Sequence, residues 1–250
     1  MGSLRRGAGL LAITVALMLL APVARAADKV DLLLVLASDV SRSVDAEKFE
    51  LQQRGYGNAM SDPRVIEAIR SGTNGRIGVC FVEWSGVMSQ RLVIDWTAIG
   101  DAASARRFGD RILESTRSFT DRTSISAAIE FGVAAFARSG IEATRRVIDV
   151  SGDGTNNAGL PVTVARDAAV AAGVTINGLS IINERPEGIY ARYHVAPPEG
   201  LPEYYRQNVI GGPRAFVMAA QDFNAFGQAL INKLIAEVAS VERRRIARSE

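Results

Sequence analysis

The sequence predicts a single doubly wound α/β domain, in which a mostly parallel sheet is flanked by helices. Short β-branched runs alternate with helical stretches of ten or more residues, which is the order that places helices on both faces of a parallel sheet. The first run, residues 30–36, is apolar apart from Asp31, as expected for a strand buried on both faces. The 250 residues are enough for one such domain with a large core.

The other strands are short runs rich in β-branched and aromatic residues. They are predicted at residues 76–84, 91–96, 146–150, 174–181 and 215–218, and the turn residues Ser85 and Gly86 join the first two. Helices are predicted at residues 45–60, 63–69, 102–115, 124–138 and 162–172. Asp222 opens a last helix as its N-cap, because apolar residues follow at helical spacings of three and four: Phe223, Phe226, Leu230, Leu234 and Val238.

Residues 1–26 are similar to an export signal and are not expected to be part of the fold. Arg5 and Arg6 precede an apolar stretch, residues 7–21, and the small-x-small pattern Ala24-Arg25-Ala26 then indicates cleavage after Ala26. An uncleaved membrane anchor is the alternative, but the stretch is shorter than the roughly 20 residues that span a bilayer. We therefore expect a periplasmic or secreted protein with no stable membrane span after cleavage.

The composition excludes several classes of protein. With 48% apolar and 22% charged residues the chain is not disordered, and a formal net charge of +2 argues against a nucleic-acid binder. A single cysteine, Cys80, excludes an internal disulfide or a zinc site with several thiolates. Cys80 lies in the predicted strand 76–84, where we expect a small buried hydrophobe. The one histidine, His194, has no nucleophile pattern beside it, and we assign it no catalytic role.

The strongest chemical signal follows the first predicted strand. Asp39, Ser41 and Ser43 form an Asp-x-Ser-x-Ser pattern between that strand and a helix. In a doubly wound sheet this is the edge where ligands bind. Hydroxyl and carboxylate oxygens are hard ligands that suit Mg²⁺, Ca²⁺ or Mn²⁺. Alone, the pattern is equally consistent with a helix start capped by Ser43 or Asp45.

Two further segments have the same character. The strand at residues 146–150 runs into Ser151-Gly152-Asp153-Gly154, which leaves a second carboxylate at a strand end. Between the two loops, Thr123 precedes a predicted helix and is expected to face the same crevice. A tight turn at Asp153 and a helix cap at Thr123 or Ser124 are the local alternatives. Three oxygen-rich loops at matching ends of strands and helix favour a shared site.

These residues resemble the metal-ion-dependent adhesion site (MIDAS) of the von Willebrand factor A (VWA) domain superfamily. The resemblance covers residues 29–240, and segments such as Asp39-Val-Ser-Arg-Ser-Val-Asp45 look like an uncharacterised exported bacterial branch. Ser38 and Arg42 depart from the pattern without removing a ligand, although Arg42 is expected to crowd the approach to the metal. We assign residues 27–241 to the VWA-like domain and residues 242–250 to a charged C-terminal tail, whose arginines suit a helix C-terminus.

The resemblance implies a metal site and a mode of binding. The implied ligands of a divalent cation, with Mg²⁺ first and Mn²⁺ or Ca²⁺ as alternatives, are Asp39, Ser41, Ser43, Thr123 and Asp153. With two protein carboxylates and one open position, the cation would accept an Asp or Glu carboxylate from a protein partner. The expected function is therefore cation-dependent protein binding without enzymatic activity.

Residues 183–213 differ in composition from the rest of the chain. This excursion holds five of the eight prolines and four of the five tyrosines: Tyr190, Tyr193, Tyr204 and Tyr205. It leaves the predicted sheet at the same edge as Asp39 and Asp153. It is therefore either a recognition rim with tyrosine anchors or a structural cover for the sheet edge.

Two other classes of function remain as alternatives. A metal-dependent hydrolase is one, but no general base is visible and the Gly-x-Ser-x-Gly pattern of serine hydrolases is absent. An aspartyl phosphatase would need a second carboxylate where Ser41 stands. A periplasmic solute-binding protein is the other, although that class usually needs two lobes and a longer chain.

Overall fold

The computed structural model describes residues 29–182 and 197–239, and it confirms the doubly wound α/β fold. The strands are β1 (Lys29–Val30), β2 (Leu33–Asp39), β3 (Ile77–Trp84), β4 (Gln90–Ile99), β5 (Glu142–Ala143), β6 (Arg146–Gly152), β7 (Thr175–Ile181) and β8 (Val217–Ala220). The helices are α1 (Ala46–Ser61), α2 (Pro63–Arg70), α3 (Ala102–Leu113), α4 (Ile125–Phe136), α5 (Val162–Ala171), α6 (Leu201–Tyr204) and α7 (Phe226–Ala239), and a π-helical turn spans Tyr205–Val209.

The central sheet has six strands in the order β4-β3-β2-β6-β7-β8. All neighbours run parallel except β3 and β4, which form the antiparallel hairpin expected from the Ser85-Gly86 turn. Because β2 and β6 are adjacent and parallel, their carboxyl ends meet at one edge of the sheet. This adjacency brings the loop after Asp39 and the loop after Gly152 to the same crevice.

Each face of the sheet is covered by its own group of helices. Along β2, Leu34 and Leu36 pack into one core, while Leu33 and Val35 pack into the other, because successive side chains of a strand point to opposite faces. Helices α1, α2, α3 and α7 cover the first face, and α4, α5 and the Tyr205–Val209 turn cover the second.

Glycines allow the helices on the first face to approach closely. A Cβ at Gly55 of α1 would lie 2.5 Å from the Phe226 ring of α7, and one at Gly109 of α3 would lie 2.7 Å from the Gly57 carbonyl oxygen. Neither distance is compatible with a side chain. The two positions therefore set how closely α1 packs on α7 and on α3.

The first predicted run is divided in two by Asp31. The Asp31 carboxylate accepts hydrogen bonds from the backbone N–H of Asn74, at 2.9 and 3.0 Å, and from its side-chain amide. Val30 consequently belongs to β1, which pairs with the unpredicted strand β5 and not with the main sheet. The buried central strand begins only at Leu33.

The last two elements start later than predicted. Strand β8 covers Val217–Ala220, against a prediction of 215–218, and α7 begins at Phe226. Asp222 does accept a backbone hydrogen bond, from the Ala225 N–H at 2.8 Å, but it closes a turn before the helix. The apolar spacing that predicted the helix is confirmed, because Phe226, Leu230, Leu234 and Val238 are all buried.

A buried ion cluster attaches α7 to the sheet. The Lys233 ammonium lies 2.7 Å from Asp149 Oδ1 on β6 and 2.5 Å from Glu237 Oε1 on α7, with all three side chains fully buried. Asn177 on β7 donates a hydrogen bond to Glu237 Oε1 at 2.8 Å. Burial and the charge of Glu237 raise the pKa of Asp149 to about 7, against the opposing effect of Lys233.

Cys80 lies fully buried in β3, as predicted. Burial raises the pKa of its thiol well above the ordinary value, so the thiol stays protonated and unreactive. In residues 29–182 and 197–239, no helix is both long and apolar enough to cross a bilayer. The predicted export signal and the charged tail lie outside the described residues.

Candidate metal centre

The Asp39 loop leaves β2 in a tight turn that is not part of a helix. The backbone N–H of Ser41 donates to Asp39 Oδ1 at 2.7 Å, and the Val40 N–H donates to the Trp84 carbonyl at 2.8 Å. Helix α1 is capped by Asp45, whose carboxylate accepts the Lys48 N–H at 2.9 Å. Ser43 is therefore not the helix cap, and its hydroxyl faces another loop.

Ser43 contacts the predicted ligand on the next strand. Its hydroxyl donates to Asp153 Oδ1 at 2.5 Å, and the Ser41 and Ser43 hydroxyl oxygens are 3.3 Å apart. Asp39, Ser41 and Asp153 are buried, and Ser43 is partly buried. The structure therefore brings four of the predicted site residues into one group of oxygens at the carboxyl ends of β2 and β6.

Thr123, the fifth predicted ligand, lies in the loop before α4 and close to Gly154. Ser124, and not Thr123, caps that helix by accepting the Ala127 N–H at 3.4 Å. The Thr123 hydroxyl lies 4.0 Å from the point that a Cβ on Gly154 would occupy, and the side chain is only 6% exposed. Asn157, which follows Asp153 in the chain, accepts the Thr123 N–H at 2.9 Å and fixes this loop.

Arg117 and Asn157, neither of which was a predicted ligand, support the loops. The Arg117 guanidinium donates to the carbonyls of Val40 and Ser41 at 2.7 and 2.8 Å, which holds the Asp39 turn. The side-chain oxygen of Asn157 accepts the Thr123 N–H and in this way holds the Thr123 loop. No local pattern marks Arg117, whereas the pair Asn156-Asn157 directly after Asp153-Gly154 is a signal that was available.

Arg42, which departs from the family pattern, is directed towards the loop that precedes Thr123. Its guanidinium lies 3.7 Å from Asp121 Oδ1, and its backbone N–H donates to the Asp121 carbonyl at 3.0 Å. Both side chains are about half exposed. An exposed pair of this kind adds little stability, so its main effect is to connect the Asp39 and Thr123 loops.

The site concentrates negative charge in a buried position. Burial, followed by the nearby charge of Asp153, raises the pKa of Asp39 to about 8, although hydrogen bonds from Ser41 and the charge of Arg117 act in the opposite direction. Asp39 Oδ2 is buried and has no hydrogen-bond partner within the described part of the chain. Such a carboxylate oxygen is costly unless a cation or a donor meets it.

The donor set fits a hard divalent cation. It consists of three hydroxyls and two carboxylates, and one carboxylate oxygen is buried without a partner. Oxygen ligands of this kind suit Mg²⁺, Mn²⁺ or Ca²⁺. The residues with described positions contain no group of three or more His, Cys, Asp and Glu side chains arranged for a metal, so a site rich in nitrogen or sulfur ligands is not found there.

The predicted excursion is described in its second half only, because Tyr190, Tyr193 and His194 lie outside the described residues. Tyr205 is fully buried in the core between the sheet and α5. Tyr204 is partly buried, and its hydroxyl accepts the Asn156 N–H at 3.1 Å. Tyr205 is therefore a core residue and not an exposed anchor.

The sheet order and its three oxygen-bearing loops define the fold of a VWA domain. A family model described as "Protein of unknown function (DUF1194)" matches residues 29–242, and the chain belongs to this family. No curated protein sequence gives a significant match. The resemblance of the fold to that of VWA domains is confirmed by solved structures.

Solved structures share this fold at low sequence identity. Proximal thread matrix protein 1 from the mussel byssus, in a form with a zinc-occupied MIDAS motif, aligns over 85% of this chain and 49% of its own, with a TM-score of 0.60 and 16% identity. The pilus adhesin SpaC from Lactobacillus rhamnosus GG aligns over 84% of this chain and 31% of its own, with a TM-score of 0.57 and 12% identity. A von Willebrand factor type A structure from Catenulispora acidiphila aligns over 84% of this chain and 42% of its own, with a TM-score of 0.56 and 13% identity. The chain thus spans less than half the length of each.

Proposed function

We propose that this protein is an exported binding module that holds a divalent cation at a MIDAS and uses it to bind a carboxylate of a protein partner. The proposed ligands are Asp39, Ser41, Ser43, Thr123 and Asp153. The observation that supports this most directly is the hydrogen bond of 2.5 Å from Ser43 to Asp153, which joins two loops that are distant in the sequence into one group of oxygens.

Mg²⁺ is the first candidate for the cation, with Mn²⁺ and Ca²⁺ as alternatives. A hydroxyl-rich set with two carboxylates provides hard ligands without the thiolates or imidazoles that zinc prefers. The zinc-occupied MIDAS motif of the mussel protein supports a divalent cation at this position of the fold. When bound, the cation would supply positive charge at the sheet edge and an attraction for an anionic oxygen.

The proposed partner presents an Asp or Glu side chain. The two protein carboxylates balance the charge of a divalent cation in a formal count only, and the three hydroxyl ligands add no negative charge. A carboxylate from a partner would therefore complete the coordination. After removal of the predicted export signal the acidic and basic residues nearly balance, so the net charge of the chain provides no attraction for such a partner and the cation would supply it locally.

Exposed apolar side chains beside the site support a protein partner over a small solute. Val87 and Met88, in the loop between β3 and β4, are 45% and 90% exposed, and Leu160 is 49% exposed. A Cβ on Gly159 would lie 3.4 Å from Val87 Cγ2, which places the two loops in contact. Asn157, two residues before Gly159, holds Thr123. An apolar surface beside a polar site is a common feature of protein interfaces.

The test is capture of the partner from the exported fraction with purified protein as bait, in Mg²⁺ and in EDTA. Wild type in Mg²⁺ is expected to retain a partner that Asp39→Ala loses and that EDTA releases. Asp110→Ala, at an exposed carboxylate on α3, is the control and should retain it. The same partners in all four samples would contradict the proposal.

The two alternatives make different predictions in the same material. A metal-dependent hydrolase should release product from phosphate or carboxylate esters in Mg²⁺ and lose that activity in Asp39→Ala. A solute-binding protein should show a melting-temperature increase with small ligands that does not need the cation. We expect neither result, since we propose a binding role with no catalytic residue.

A further inference from the structure

Two buried polar atoms lie close together beneath the proposed metal site. They are the hydroxyl oxygen of Tyr205 and Oδ2 of Asp39, and neither has a hydrogen-bond partner in the described segments. Tyr205 is fully buried although its side chain has a polar end. Buried hydroxyls and carboxylates are normally hydrogen-bonded, so two adjacent exceptions indicate a shared role.

Gly152 defines how close the two atoms are. A Cβ built on this residue would lie 2.8 Å from the Tyr205 hydroxyl oxygen and 2.9 Å from Asp39 Oδ2. The two oxygens therefore border the same small space above the last residue of β6. Only glycine leaves this space open, because any side chain would separate the phenol from the carboxylate.

A second glycine holds the tyrosine ring. A Cβ on Gly178 of β7 would lie 2.7 Å from Cδ1 of Tyr205, so the ring packs directly on the strand backbone. Tyr205 also begins the π-helical turn, in which its carbonyl accepts the Ile210 N–H at 3.0 Å. π-Helical turns are rare and occur frequently at functional sites. Neighbouring strands and an unusual turn thus fix the ring in one orientation.

We propose that Tyr205 is a positioning residue for the metal site: its hydroxyl donates a hydrogen bond to Asp39 Oδ2 through one water and sets the orientation of that carboxylate. The direction follows from chemistry, since a carboxylate that binds a cation is ionised and has only acceptors, and a phenol at neutral pH has a proton to donate. The inference rests on the proposed metal function. It also gives the Tyr/Pro-rich excursion a role within the site.

The two oxygens of Asp39 then have separate tasks. Oδ1 accepts the Ser41 N–H and closes the turn, while Oδ2 is held from the other side by Tyr205. Groups that orient metal ligands in this way typically contribute 10- to 100-fold to metal affinity. Phenylalanine at position 205 would retain the packing on Gly178 and lose only the donor, so it separates positioning from packing.

The experiment is a calorimetric titration of Mn²⁺ into wild type, Tyr205→Phe and Tyr56→Phe, with melting temperatures measured in EDTA. Tyr56 is the matched control: it is equally buried, and its hydroxyl lies 2.7 Å from Ser151 Oγ, on the other face of the sheet. We expect Tyr205→Phe to bind Mn²⁺ about 10- to 100-fold more weakly with a melting temperature close to that of wild type, and Tyr56→Phe to bind as wild type does.

Equal Mn²⁺ affinity in wild type and Tyr205→Phe would overturn the role of Tyr205 and leave the metal site intact. No Mn²⁺ binding by folded wild type would overturn the proposed function and this inference together. If Tyr205→Phe does not fold, the test is the ultraviolet difference spectrum of the wild-type tyrosines with and without Mg²⁺. Mg²⁺ should then produce a tyrosine difference band that Tyr56→Phe and Tyr204→Phe both retain, and its absence in wild type would overturn the inference.

Discussion

Ser43 and Asp153 lie 110 positions apart in the chain, and the Ser43 hydroxyl donates to Asp153 Oδ1 at 2.5 Å. This contact joins the loop after β2 to the loop after β6, the two neighbouring strands at the centre of the sheet. It also brings together the two ends of the residue pattern that predicted a metal site.

Removal of either aspartate should abolish stabilisation by the cation. At a Mg²⁺ concentration about 100-fold above Kd, wild type should gain roughly 2.7 kcal/mol, which corresponds to about 5–10 °C for a domain of this size. Asp39→Ala and Asp153→Ala should show no such gain, and Asp110→Ala should show all of it. The measurement is thermal unfolding in Mg²⁺, Mn²⁺ and EDTA. An unchanged response in both aspartate variants would refute the metal assignment.

Glu83 should make the protein less stable as pH rises. Burial raises the pKa of this carboxyl above its ordinary value of 4.5, and Oε1 has no described hydrogen-bond partner. Its contribution to stability is therefore fully present below about pH 4.5 and decreases at higher pH. Glu83→Gln should raise the melting temperature at pH 7 by about 2–4 °C per kcal/mol gained, and the gain should vanish near pH 4.

Thermal unfolding of wild type and Glu83→Gln across pH 4 to 8 checks this prediction. The glutamine carbonyl retains an acceptor for the Ser118 N–H, which now donates to Glu83 Oε2 at 2.7 Å. Parallel pH profiles for the two proteins would show that Glu83 does not titrate in this range.

The exposed Met88 should contribute to partner binding and not to metal binding. Met88→Ser removes exposed apolar area from the loop between β3 and β4, and we expect weaker capture of the partner by roughly 1 kcal/mol or more. The melting-temperature response to Mg²⁺ should remain that of wild type, because Met88 is 90% exposed. Met88→Leu is the control and should retain capture. A loss of the Mg²⁺ response in Met88→Ser would place this side chain in the metal site instead.

Tyr190 and Tyr193 test whether the first half of the excursion is a recognition rim. If this segment is a recognition rim, we expect Tyr190→Ala and Tyr193→Ala to weaken partner capture and to leave the melting temperature unchanged. The alternative, a cover for the sheet edge, predicts a lower melting temperature instead. Capture assays and thermal unfolding on the same preparations distinguish the two.

Lys233 should be essential to the core as long as its two carboxylates remain. Lys233→Met leaves Asp149 and Glu237 buried without their cation, which should cost about 3–5 kcal/mol. Combining it with Asp149→Asn and Glu237→Gln removes both charges and should recover most of the loss. Urea unfolding of the single and triple variants is the measurement. A single variant as stable as wild type would show that the cluster contributes little to the attachment of α7.

The features that the sequence predicted are those with a local cause. Short strand-like runs between helical stretches predicted the sheet because its central strands β2, β3 and β6 are buried on both faces. The loops at Asp39 and Asp153 were predicted to meet because parallel strands end at one edge. Ser43 and Asp45 were both candidate caps for α1, and only packing decided between them. Asp31 interrupts an apolar run, and its preference for the Asn74 backbone was not visible locally.

The parts that the sequence did not predict depend on contacts between distant residues. Arg117 holds the Val40 and Ser41 carbonyls from a loop 77 and 76 positions away, and nothing in its own neighbourhood marks it. Tyr205 was recognised only as one of four tyrosines in an unusual segment. Its position beneath Asp39 follows from the glycines of β6 and β7, whose significance appears only once those strands are side by side.

The state of Cys80 has a consequence for where this domain can operate. The chain has one cysteine, and β3 buries it completely. No internal cross-link can therefore form, and the thiol is shielded from oxidants and from exchange with other thiols. Non-covalent interactions must therefore supply the stability without a disulfide. The folded domain is consequently indifferent to redox conditions, and it needs no disulfide-forming or disulfide-isomerising enzyme to reach its native state.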